Sequence, residues 1–99
     1  MDTRYTLQGI AFEWHEAKAV ENIRKHGVSF ATACEAFHDP LIRVDEAGAV
    51  EGEPREAIIG LTLKWRLLYV AYVMRPTDVI RLISARPATS AERKTYENR

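Results

Sequence analysis

The stretch Arg66-Leu67-Leu68-Tyr69-Val70-Ala71-Tyr72-Val73-Met74 is apolar at odd and even positions alike. A strand sends successive side chains to opposite faces, so a run with no polar parity needs cover on both. Residues 67–73 therefore predict a central strand. On its C-terminal side, Arg75-Pro76-Thr77-Asp78 is turn chemistry, and residues 79–85 predict the next strand. On its N-terminal side, residues 55–61 and 41–44 predict two more, separated by a polar stretch over 45–54. The short links favour hairpins, and so an antiparallel sheet.

Two helices precede these strands. Residues 15–26 read as a helix that stops at Gly27, a residue free to take positive φ, with Val20 and Ile23 as a narrow apolar stripe. Ser29 can cap a second helix, where Phe30, Ala33, Cys34 and Phe37 fall at i, i+3, i+4 and i+7 and make one apolar face. Asp39-Pro40 ends it. Residues 9–13 could form a short strand before the first helix. Thr89-Ser90-Ala91-Glu92 matches the S/T-x-x-E capping box, so a closing helix is expected over 90–98. The fold class is α+β: two N-terminal helices, an antiparallel sheet and a C-terminal helix, in a single domain over residues 1–99.

At 99 residues the chain has room for one modest core. No apolar run approaches the roughly 20 residues that span a bilayer. The first residues lack a signal-peptide pattern, and the single cysteine, Cys34, forms no internal disulfide. A cytoplasmic protein with no membrane partner is expected. Net charge is zero, yet it is segregated. Residues 1–57 hold 6 Lys/Arg against 11 Asp/Glu, and residues 58–99 hold 8 against 3. A basic half can bind phosphate although the whole is neutral.

The residues Phe12-Glu13-Trp14, Lys18, Asn22 and Lys25-His26-Gly27-Val28-Ser29-Phe30 resemble the opening of the BrnT family. The likeness continues through Phe37, Asp39-Pro40, Arg55, Gly60 and Ile83-Ser84-Ala85-Arg86 to Ala88, Glu92-Arg93 and Tyr96. One departure is His15, where the family usually has an Asp that would cap the first helix; histidine is a poor cap. The resemblance implies a RelE-like fold, ribonuclease activity that inhibits translation, and a type II antitoxin partner, BrnA. BrnA carries a ribbon-helix-helix domain, and operator DNA is bound only through it.

Metal-free RNA cleavage needs a base for the 2′-OH proton, cations for the phosphorane charge, and an acid for the leaving 5′-oxygen. Arginine suits the second task and histidine the first or third. Arg81 and Arg86 flank Ile83-Ser84-Ala85, but strict alternation puts Arg81 with Ile83 and Ala85, and Arg86 with Leu82 and Ser84. They share a face only if the strand ends or bulges; Arg81 could equally pair with a carboxylate across strands. Lys25 and His26, in the most basic stretch of the acidic half, are further catalytic candidates, though cations also suit a helix C-terminus. Arg81, Arg86, Lys25 and His26 are thus the candidate catalytic set.

Lys64-Trp65-Arg66 is a basic–aromatic–basic triplet able to stack a base and hold its phosphate, or an ordinary hairpin. Arg93 and Tyr96 on the last helix complete the candidate RNA-binding set; Tyr96 could aid proton transfer or pack the helix on the sheet. His15, His26 and His38 lack the close spacing of metal ligands, and no metal or other cofactor is expected. Cys34 reads as core. Two alternatives remain: a non-catalytic RNA-binding module on the same basic sheet, and a protein-interaction domain whose arginines serve an acidic partner.

Overall fold

A computed structural model describes residues 1–50 and 53–98. The elements in chain order are β1 (Asp2–Leu7), β2 (Ile10–His15), α1 (Glu16–His26), α2 (Phe30–Ala36), β3 (Arg43–Val50), β4 (Glu53–Leu61), β5 (Leu67–Met74), β6 (Ile80–Pro87) and α3 (Ser90–Glu97). Among the described residues the six strands form one sheet in the order β1-β2-β6-β5-β4-β3. The class is α+β, as expected, and β5 is an interior strand with Leu67, Leu68, Val70, Tyr72 and Val73 buried.

The alternation of β4 and β5 divides the apolar residues between the two faces. Ile58, Leu68, Val70 and Tyr72 face α2 and join Phe12, Trp14, Phe30, Ala33, Cys34, Leu82 and Ala85 in the main core. Ile59 and Leu67 face the other way, beneath Tyr96 of α3, with Leu61, Tyr69 and Ala88 around them. The expected cluster of Phe30, Cys34 and Phe37 forms, Phe37 at its margin, and Trp14 packs edge-on to Phe30 with ring centroids 5.7 Å apart. Both predicted caps are present. The Ser29 hydroxyl accepts from Thr32 N at 3.1 Å, and Thr89 and Glu92 close the capping box at the start of α3.

Four expectations are corrected. The sheet is mixed rather than antiparallel, because β2 pairs parallel with β6 through Phe12↔Ile80 and Glu13↔Arg81. The cause is non-local: β2 feeds directly into α1, and the strand it joins lies at the far end of the chain. A hairpin, not a lone short strand, opens the chain, with β1 and β2 joined through Gln8 and Gly9 at φ 47° and 85°; the two helices thus follow two strands. His15, expected to be a poor cap, does cap α1, its Nδ1 accepting from Ala17 N at 3.1 Å. Finally, Val20 and Ile23 are exposed rather than buried. The buried residue of α1 is Asn22, because this helix lies along the edge of β6 and meets it with a polar side chain.

Candidate nucleic-acid interface on the sheet

The parallel β2–β6 ladder is short, running through Phe12↔Ile80 and Glu13↔Arg81. Further along, the β6 edge is met by α1. Asn22 Nδ2 donates to Ala85 O and to Val28 O, both at 2.8 Å, and Ala85 N donates to Asn22 Oδ1 at 3.0 Å. One side chain thus stands in for the neighbouring strand. On the other edge of β6, Ala71 pairs with Ser84 but Tyr72 with Leu82, so Ile83 is the extra residue of a β-bulge.

The bulge resets the alternation. Leu82 and Ala85 both reach the main core. Arg81 and Arg86 consequently share the opposite face, which corrects the strict-alternation pattern. At about 3.3 Å per residue they stand roughly 15 Å apart, a spacing for two phosphates of one strand rather than for a single one. Against the bulge, at the sheet edge, lies a cavity of about 260 Å³ lined by Lys18, Glu21, Asn22, Lys25, His26, Ile83 and Ser84. Lys25 and His26 are therefore brought to the stretch between the two arginines. Lys25 Nζ lies 3.6 Å from Glu21 Oε1, a pairing within the helix.

Each arginine is held by carboxylates. Arg81 NH1 donates to Glu13 Oε2 at 2.7 Å, and its NH1 and NH2 donate to Asp2 at 3.1 and 3.2 Å. Acidic residues of the first half thus neutralise a cation of the second. Arg86 donates two parallel bonds of 2.8 Å to Glu92, and its guanidinium stacks 4.3 Å over the Tyr69 ring. These bonds hold the Glu92 carboxyl below its ordinary range, and those to Arg81 do the same for Asp2. Burial, with nearby carboxylates, pushes the Tyr69 hydroxyl up.

The RNA-binding candidates fall into two neighbouring groups. Lys64, Trp65 and Arg66 are exposed at the β4–β5 turn, where Trp65 takes φ 64°. Thr62 and Arg66 close this turn with a 2.9 Å bond, and Glu35 Oε1 accepts from Leu63 N at 3.0 Å. On α3, Arg93 is exposed and 4.0 Å from Glu97, whereas Tyr96 is buried and its hydroxyl donates to Asp39. Tyr96 thus has the packing role. An apolar cleft of about 360 Å³, lined by Leu41, Leu61, Leu63, Trp65 and Tyr96 among others, lies between the groups. Arg55, on β4, is half-buried.

The histidines lie apart in function: His15 caps α1, His38 Nε2 pairs with Leu7 O at 2.9 Å, and His26 lines the α1–β6 cavity. Among the described residues no three His, Cys, Asp or Glu side chains group as a metal site. Cys34 is buried, and desolvation pushes its thiol up to about 12. Sequence reasoning gave Glu13 and Asn22 no role, although a charged residue between Phe12 and Trp14 signals a strand with one polar side.

Arg81 and Arg86 thus share one sheet face, with Lys25 and His26 at the intervening edge. A family model described as "Ribonuclease toxin, BrnT, of type II toxin-antitoxin system" matches residues 14–92. The chain belongs to this BrnT family. Its fold is similar to the crystal structure of the Brucella abortus ribonuclease toxin BrnT, with a TM-score of 0.61 and 27% sequence identity, over 78% of this chain and 94% of that one. No curated protein matches the chain.

Proposed function

We propose that this chain is a metal-independent endoribonuclease toxin on a RelE-like scaffold, acting in the cytoplasm to inhibit translation. A BrnA-type antitoxin with a ribbon-helix-helix domain neutralises it, and the pair meets operator DNA through the antitoxin. Family membership supports the toxin class. The observation that carries the catalytic reading is the bulge at Ile83, which sets Arg81 and Arg86 on one face, while the cavity at the edge of the same bulge is lined by Lys25 and His26.

In this reading Arg86 and Arg81 each bind a phosphate of one RNA strand, Arg86 pre-oriented by its two bonds to Glu92 and its stacking on Tyr69. Lys25 adds positive charge at the cavity mouth, and His26 supplies an imidazole there for proton transfer. Lys64, Trp65 and Arg66 stack and steer the flanking RNA, with Arg93 at the rim and Tyr96 as the floor that fixes α3.

The test is incubation of the purified chain with RNA in EDTA, alongside expression in cells with and without the neighbouring gene product. Cleavage in EDTA, and growth arrest relieved by the neighbour, are the expected results. Retention of RNA without cleavage would make the chain a binding module. No RNA affinity at any salt concentration would leave a protein-interaction domain.

A further inference from the structure

Glu13 lies on β2 between Phe12 and Trp14, both of which enter the main core. Its side chain therefore leaves on the opposite face, the face of Arg81 and Arg86. There it is only 10% exposed, and guanidiniums converge on it from three elements. Arg81 NH1 of β6 is 2.7 Å from Oε2, Arg4 NH2 of β1 is 3.5 Å from Oε1, and Arg75 Nε, just after β5, is 3.7 Å from Oε2.

We propose that Glu13 is the general base of RNA cleavage, with Arg81 and Arg4 as the cations that receive the scissile phosphate. The assignment rests on the ribonuclease reading above and adds the residue it lacked. A carboxylate beside two guanidiniums on an open sheet face provides both things the first step needs. Arg81 and Arg4 draw the phosphate against the carboxylate, so the adjacent 2′-hydroxyl comes within reach of an Oε atom.

Glu13 takes the 2′-OH proton while the 2′-oxygen bonds to phosphorus. The P–O5′ bond breaks, and the 5′-oxygen takes a proton from solvent water, because His26 lines the α1–β6 cavity with Ile83 and Ser84 rather than the Glu13–Arg81 cluster. The products are a 2′,3′-cyclic phosphate and a 5′-hydroxyl. Proton transfer also changes the electrostatics in the required direction. As Glu13 becomes neutral it releases one of the two carboxylates on Arg81 NH1, the other being the half-exposed Asp2, and the phosphorane oxygens gain negative charge beside that same donor. The guanidinium is thus stabilising where charge develops rather than in the ground state. Arg4, 73% exposed and only loosely paired, is free to turn toward the phosphate.

The experiment uses the full chain, a fluorescent single-stranded RNA oligonucleotide, and its 2′-O-methyl analogue, which lacks the reacting hydroxyl. Glu13→Gln should cut the cleavage rate at saturating RNA by about 100-fold or more, while the analogue binds as tightly as to wild type or tighter. Wild-type products should end in 2′,3′-cyclic phosphate. Glu13→Asp keeps the charge and the ion pairs but shortens the reach, so it should fold and cleave about tenfold slower. Wild-type cleavage by a folded Glu13→Gln, or by Glu13→Asp should the Gln variant not fold, overturns the assignment alone. Loss of analogue affinity in step with rate overturns it too, making Glu13 an organiser of the RNA face. Intact RNA with the wild-type protein itself removes the ribonuclease reading and this base with it.

Discussion

Asn22 and Ala85 are joined by two hydrogen bonds of 2.8 and 3.0 Å, side-chain amide to main chain, in the pattern one strand offers another. Both residues are buried. This pair fixes α1 against β6 next to the bulge, and so sets where Lys25 and His26 stand relative to Arg81 and Arg86. Asn22→Ala leaves the Ala85 N–H and the carbonyls of Ala85 and Val28 without that partner. A buried donor or acceptor left unmade costs roughly 1–3 kcal/mol, so a loss of about 2–4 kcal/mol is expected in urea unfolding. A change under about 0.5 kcal/mol, the range of ordinary surface substitutions, would show that α1 is held by other contacts.

Gly60 of β4 lies against the C-terminal end of α2. A Cβ built there would lie 2.6 Å from the Ala36 carbonyl oxygen and 3.2 Å from Ile42 Cγ2. The first is main chain and cannot swing away, so α2 must shift. Gly60→Ala should lower stability by about 1–3 kcal/mol, the usual cost of overpacking. A denaturation midpoint unchanged from wild type would mean that α2 rides on β4 more loosely than these distances require.

The parts of this fold that were legible in the sequence are the ones set by local patterns. The two-sided apolar run of β5, the i, i+3, i+4, i+7 face of α2 and the Thr89–Glu92 box each lie within one element. What could not be read depends on partners far away in the chain. The parallel β2–β6 pair joins residues 68 apart, Phe12 with Ile80 and Glu13 with Arg81. The orientation of α1 follows from Asn22 finding Ala85, so the apparent Val20–Ile23 stripe points outward. The bulge at Ile83 has no glycine or proline to announce it, yet it decides which face Arg86 joins. The candidate site was therefore visible as residue types, and its geometry was not.

Acid should weaken the Arg86–Glu92 pair. Hydrogen bonds from Arg86 hold the Glu92 carboxyl below its ordinary value of 4.5, against partial burial, and the Thr89 main chain adds to the lowering. A carboxyl depressed in the folded state contributes stability above its unfolded pKa and loses it as pH falls through the folded one. The stability gap between wild type and Glu92→Gln should therefore be flat above about pH 5 and shrink steadily below it. Urea unfolding at stepped pH measures this. A gap independent of pH from neutral into strong acid would mean that Glu92 acts only through its neutral capping geometry.

Trp65 is the last test, because its conformation and its exposure oppose its retention on stability grounds. It is 81% exposed, and its φ of 64° lies in the left-handed region that favours glycine. Holding a non-glycine residue there costs on the order of 1 kcal/mol. Little buried area offsets that cost, so Trp65→Gly should leave the protein as stable as wild type or more so, by up to about 1 kcal/mol. If the Lys64-Trp65-Arg66 turn presents an aromatic platform for a base, the same variant should bind single-stranded RNA more weakly. Stacking on an aromatic side chain is worth about 1–3 kcal/mol, which corresponds to a loss on the order of 10–100-fold. Trp65→Tyr, which keeps a ring at the same place, should recover most of the affinity. The two readouts move in opposite directions only if strain at this turn serves binding. A Trp65→Gly protein with unchanged RNA affinity would remove the turn from the RNA-binding surface and leave Arg81, Arg86 and the α1–β6 edge to hold the strand.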